Sequence, residues 1–82
     1  MTLKIISPQE ILFEGEVQSV TLPGAMGAFT VLRNHASLIS SLSAGNVTYT
    51  LPSGNENVAE EKITIPGGVA VVDNNVISVC VN

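Results

Sequence analysis

His35 is the only imidazole in the chain, and Ser37, Ser40 and Ser41 follow it within six residues. With Asp73 these residues could assemble a Ser-His-Asp arrangement in space, in which the imidazole takes the hydroxyl proton and the carboxylate orients the imidazole. No serine sits in a Gly-x-Ser-x-Gly elbow, the strained turn that exposes a nucleophile, and no aspartate lies near His35 in sequence. A histidine in a turn or facing a partner is the reading adopted. The carboxylates do not pair as acid and base either. Glu10, Glu14 and Glu16 fall at turn edges, and Glu60 and Glu61 are adjacent, which in a strand sends them to opposite faces.

Other candidate motifs are equally thin. Gly24 and Gly27 enclose Ala25 and Met26, but Phe29-Thr30-Val31 follows where a phosphate cradle needs a helix and a lysine. This is read as a tight surface loop with a methionine at its tip, a side chain that adapts to varied surfaces. Pro66-Gly67-Gly68 reads as a sheet corner or bulge. Cys80 lies between Val79 and Val81 with no base or cation beside it, so it reads as a packed or half-exposed thiol. Asn46-Val47-Thr48 matches a glycosylation acceptor. Met1 to Ile6 is too short an apolar stretch before Pro8 for a secretory signal, so that acceptor is expected to be idle.

The elements that would position these residues must fit into 82 residues, one domain spanning 1–82. Charged residues are 12% of the chain, about half the usual share. Three cations (Lys4, Arg33, Lys62) against seven acidic residues give a net charge of −4. That balance excludes a nucleic-acid reader or a polybasic lipid binder, since both need clustered Lys and Arg. No run reaches the ~18 apolar residues of a membrane span. One cysteine makes no internal disulfide, and one cysteine with one histidine makes no closed zinc site. A small cytosolic-type domain without either staple has a thin core, and a permanent partner would relieve that shortage.

Val, Ile, Thr and Leu dominate, turn residues recur at short intervals, and no long 3.6-residue period appears. The pattern predicts an all-β fold with strands at about 3–7, 10–14, 16–22, 28–32, 37–42, 46–52, 57–65, 68–73 and 76–81. Asn46 to Leu51 alternates in type and meets a turn at Ser53-Gly54-Asn55. The runs Val69–Val72 and Val76–Val81 flank Asp73-Asn74-Asn75, whose side chains tolerate left-handed backbone. Ser37 to Leu42 is also short enough to be a helical turn, though its serines weaken that reading.

Residues 20–39 carry Val20 to Leu22, Pro23-Gly24, Gly27, Phe29, Leu32 and His35-Ala36 followed by Leu38. This stretch resembles the epsilon subunit of F-type ATP synthases. So do Leu3 to Ile6 with Ser7-Pro8, then Phe13, Gly15 and Val17, the segment Leu42 to Gly45, and Gly67-Gly68-Val69 followed by Val71, Asn75 and Val76. The resemblance spans nearly the whole chain. It implies a small β-sandwich of about ten short, mostly antiparallel strands. It also implies a non-catalytic central-stalk (rotor) subunit of a proton-translocating ATP synthase, coupling rotation of the membrane c-subunit ring to the gamma subunit. The alpha/beta catalytic head is then an indirect partner. No cofactor is implied, and the location is peripheral, on the cytoplasmic side of the bacterial inner membrane.

By the same resemblance, Gly24, Ala25, Met26, Gly27 and Ala28 face the c ring, and Ser7, His35 and Ser40 lie on or near the gamma-facing surface. The family often carries acidic residues where Ala28 and Met26 stand, so an apolar contact through Met26 and Phe29 is expected instead. Arg33 replaces a proline common before the His-Ala turn, which loosens the turn. Family members usually continue into two helices that can inhibit ATP hydrolysis. This chain stops at Asn82, and a naturally short protein without that inhibition is the expectation. The rival reading is a free-standing β-sandwich that binds a small molecule in a cleft near His35.

Overall fold

The computed structural model describes residues 1–52 and 59–82, which contain nine strands and no helix. They are β1 Thr2–Ile6, β2 Ile11–Glu16, β3 Ser19–Leu22, β4 Phe29–Leu32, β5 Leu38–Leu42, β6 Gly45–Thr50, β7 Glu60–Ile65, β8 Gly68–Asp73 and β9 Val76–Val81. They form a five-stranded sheet, β2-β1-β9-β8-β5, and a four-stranded sheet, β4-β3-β6-β7. Every pairing is antiparallel except β1 with β9. Ser37 to Leu42 is therefore extended, not a helical turn. The expected turn Ser53-Gly54-Asn55 and the start of the strand expected at 57–65 lie outside the described residues.

Alternation along each strand sends one set of side chains between the sheets. Leu3, Ile5, Ala70, Val72, Ile77 and Val79 from the larger sheet meet Val20, Leu22, Val31, Val47, Tyr49 and Ile65 from the smaller. No polar or charged residue among those described is buried with them. Phe13 and Tyr49 join the two sheets, with ring centroids 4.4 Å apart and planes tilted by 39°.

Glu14-Gly15 was expected to be a turn, but both residues lie inside β2, and the break falls at Val17-Gln18. The reason is the Phe13 ring, which lies over Gly15: a Cβ there would sit 3.2 Å from the ring carbon Cζ. Glycine here serves as a platform for an aromatic neighbour two residues back, not as a turn residue.

The Asp73-Asn74-Asn75 turn forms as expected. Asn74 and Asn75 have φ of 49° and 62°, and Asp73 pairs with Val76 across a two-residue loop. Asn75 also ties three segments together. Its carbonyl accepts from the Thr2 amide (2.9 Å), its Oδ1 accepts from the Asn34 amide (2.6 Å), and its Nδ2 donates to Asn34 Oδ1 (3.0 Å).

The Gly67-Gly68 corner is forced by the chain's own neighbour strand. Gly68 has φ of 155°, and a Cβ on it would overlap the Cys80 carbonyl oxygen of β9. Gly68→Ala is expected to destabilise the fold by about 2–3 kcal/mol, as strained backbone and overpacking together do. A denaturant titration checks this against the wild-type midpoint.

Candidate functional site

The outer face of the five-stranded sheet follows from its register. One row across it reads Ser41, Val69, Cys80, Ile6, Ile11, and the next reads Ile39, Val71, Ser78, Lys4, Glu14. A third reads Asp73, Val76, Thr2, Glu16. Ile39 is 77% exposed and Ile11 61%, while Ile6, Val69, Val71 and Val76 are each more than a third exposed. These side chains adjoin one another across five strands. A contiguous exposed apolar patch of this kind marks an interaction site, whereas scattered ones do not. Charge on this face lies at its margins: Lys4, Glu14 and Glu16 on β1 and β2, where Lys4 Nζ lies 3.7 Å from Glu14, and Asp73 at the end of β8.

The outer face of the four-stranded sheet is its opposite. Ser19, Thr21, Thr30, Asn46, Thr48, Thr50 and Thr64 line it in register. Their side chains bond one another: Ser19 with Thr50 (2.8 Å), Thr21 with Thr30 (2.9 Å), and Thr64 donating to Asn46 (2.7 Å). Leu32 is the one large exposed apolar side chain on this face among the described residues. One face of the sandwich suits water and the other suits a partner.

The loop Gly24–Ala28 joins β3 to β4 and is held at its base. Gly24 bridges Leu42, the Ala25 amide donates to the Ser41 carbonyl (2.9 Å), and the Ser43 amide donates to the Pro23 carbonyl (2.8 Å). A Cβ on Gly24 would sit 2.6 Å from the Gly27 carbonyl oxygen and 2.8 Å from the Phe29 ring, so only glycine fits. Ala25, Gly27 and Ala28 are exposed, and Met26 is wholly exposed at the tip. Phe29 does not accompany it. Its ring is half-buried and packed against the core, so the expected pair of apolar contacts reduces to Met26.

Ser7, His35 and Ser40 do not form a cluster. Ser7 closes the β1–β2 connection: its Oγ accepts from the Glu10 amide (3.1 Å) and donates to the Glu10 carbonyl (3.0 Å). His35 is exposed in the β4–β5 turn, its amide donating to the Leu32 carbonyl and its Nδ1 lying 2.8 Å from the Ala36 carbonyl oxygen. Asn34 takes φ of 64° in that turn, a conformation that suits asparagine. Ser7 follows the end of β1 and His35 precedes the start of β5, so they lie at opposite ends of the larger sheet. Ser40 is half-buried and shares its side of β5 with Leu38 and Leu42, away from the outer face.

The triad does not form. The Ser37 hydroxyl donates directly to Asp73 Oδ1 at 2.6 Å, leaving no place for an imidazole between them. An apolar groove of about 400 Å3 lies beside this pair, lined by Ser37, Leu38, Ile39, Val71, Val72 and Asp73. His35 does not line it, and its two polar residues bond each other, so it lacks the convergent polar groups of a small-molecule site. Cys80 is exposed in the middle of the apolar face.

A family model described as ATP synthase, Delta/Epsilon chain, β-sandwich domain matches residues 1–82. The chain belongs to this family. It is 43% identical over 79 residues to an ATP synthase epsilon chain of Campylobacter jejuni subsp. doylei, covering 96% of this chain and 58% of that one. An ATP synthase epsilon chain of Chlorobaculum tepidum is 39% identical over 74 residues, covering 90% of this chain and 80% of that one. The chain thus spans a little over half the length of the Campylobacter relative.

Two solved structures share the fold. A chain of the Euglena gracilis mitochondrial ATP synthase (OSCP/F1/c-ring) superposes with a TM-score of 0.84 at 22% identity, covering 96% of this chain and 48% of that one. A chain of the Tetrahymena thermophila mitochondrial ATP synthase central stalk and c-ring gives 0.77 at 17% identity, covering 98% and 61%. The apolar rows were not legible in the sequence as one surface, because they assemble from strands far apart along the chain. Their signal is the near-continuous apolar character of Val69-Ala70-Val71-Val72, which is that of a strand covered on both faces.

One ionic feature of this β-sandwich family member is titratable. The Thr2 hydroxyl bonded to Glu16 (2.7 Å), then the Met1 ammonium (3.1 Å), hold its carboxyl below the usual carboxylate value. A carboxyl with a lowered folded-state pKa contributes stability that is present above its unfolded pKa and lost as pH falls through the folded one. Thermal melts from pH 7 down to pH 3 are expected to show a falling midpoint, and Glu16→Gln is expected to flatten that part of the curve.

Proposed function

We propose that this chain is a non-catalytic central-stalk subunit of a proton-translocating F-type ATP synthase. It grips the gamma subunit and rests on the membrane c-subunit ring, and it meets the alpha/beta catalytic head indirectly. It works as a peripheral component on the cytoplasmic side of the bacterial inner membrane. The observation that carries this reading is the contrast between the two outer faces. The hydroxyl-lined face needs no cover, whereas the apolar rows through Ile39, Val69, Val71, Cys80 and Ile6 need one. Family membership and relatives named ATP synthase epsilon chain support the choice of partner.

The gamma subunit is assigned to that apolar face. Ser7 and His35, at its two ends, then lie at the margins of the contact, and Ser40 borders it on the edge strand. The c ring is assigned to Gly24–Ala28. With no charge between Gly24 and Leu32, this contact is apolar and centres on Met26.

Affinity capture from detergent-solubilised membranes with tagged chain is expected to bring down gamma with alpha, beta and c. Recovery of none of them by a folded chain overturns the reading. Val69→Glu, which puts a charge into the apolar rows, is expected to weaken gamma binding at least about 30-fold, the scale of an interface hot spot. Thr48→Glu on the hydroxyl face is expected to change it less than about twofold, as substitutions outside an interface do. Met26→Ala is expected to reduce recovery of c while leaving gamma recovery intact; equal recovery of c by both forms counts against the loop assignment.

A further inference from the structure

We propose that the groove beside Ser37 and Asp73 is the anchoring pocket of the gamma-facing surface, and that it receives one long side chain of gamma with a cationic tip, Lys or Arg. This rests on the assignment of the apolar outer face to gamma. The groove lies where that face meets the β8–β9 turn, and Ile39 and Val71 belong to both. Its volume of about 400 Å3 holds a side chain but not a helix or a strand. Ile39 and Val71, the exposed apolar residues of its lining, offer contact to an aliphatic stem. Lys and Arg lay such stems along apolar surface while the head stays in water.

The chemistry at the rim selects the head group. Asp73 is the one ionisable residue lining the groove, and it lies at the exposed end of β8. The Ser37 hydroxyl donates to Oδ1 and so fixes the orientation of the carboxylate. Oδ2 has no partner among the described residues, and no cation of this chain pairs with Asp73 there. A carboxylate held in one orientation at the rim of an apolar groove complements a cation on a long stem. A purely aliphatic side chain would leave it without a partner.

The test measures binding of full chain to an alpha–beta–gamma complex stripped of its own copy of this subunit, across a series of salt concentrations. Val71→Trp fills the groove and is expected to weaken binding at least about 30-fold. Asp73→Asn keeps the shape and still accepts from Ser37. It is expected to weaken binding about threefold to fivefold at low salt, the scale of an exposed ion pair, and to show less salt dependence than wild type. Asp73→Asn carries the test if Val71→Trp fails to fold. Wild-type binding by both variants, with binding lost in Val69→Glu, overturns the pocket and leaves the face assignment standing. Wild-type binding by all three overturns the face assignment itself. An Asp73→Asn loss equal at every salt concentration overturns the cationic tip.

Discussion

The parallel ladder between β1 and β9 is the interaction on which the rest of the sandwich depends. It pairs Thr2 to Ile6 with Val76 to Cys80, the first strand with the last. Without it the larger sheet separates into a β1–β2 hairpin and a three-stranded remnant, and neither piece can cover the smaller sheet. Leu3 and Ile5 on one side of this ladder and Ile77 and Val79 on the other are fully buried. The carbonyl of Asn75 meets the Thr2 amide at the mouth of the ladder, so the β8–β9 turn is part of how the two ends find each other. Parallel strands need a long crossover, and here nearly the whole intervening chain supplies it. Pairings so distant in sequence make a slow-folding topology.

Once the two sheets close on each other, their outer faces diverge in character. Thr and Ser suit strands and also suit water, so the smaller sheet can turn a strand-forming face outward without a partner. The larger sheet has Val and Ile in both directions at β8 and at the start of β9. A strand of that composition is at rest only when both of its faces are covered. The low charge content of the chain follows from the same division. Charge on the larger sheet sits at the margins of the apolar rows, at Lys4, Glu14, Glu16 and Asp73, and the smaller sheet presents mostly hydroxyls to water, with Lys62 and Glu60 on β7.

Much of this was legible in the sequence. Strand positions follow from β-branched content and turn residues, and the Asn74-Asn75 turn was readable because asparagine tolerates the left-handed backbone it adopts. Gly68 was readable as a corner, though not that the Cys80 carbonyl was what crowded it. Gly15 was misread because a glycine beside a glutamate looks like a turn until the Phe13 ring is known to lie on it. The relation of Ser7 to His35 was not legible, since it depends on strand order, which no local pattern specifies. Pairing of Ser37 with Asp73 is a long-range consequence of β5 lying beside β8, and the sequence suggested only a triad that would have needed His35 between them.

The stitching of the Gly24–Ala28 loop to β5 has a mechanical side. The loop is fastened at Ser41, Leu42 and Ser43, and β5 is in turn laddered to β8 along its whole length. A push on the loop along the strand axis therefore loads those ladder bonds in parallel, as shear, instead of peeling them open one after another. Rows of hydrogen bonds resist sliding together and yield easily when unzipped. The fold has placed its most exposed methionine at the end of a strut that meets force in its stiff direction.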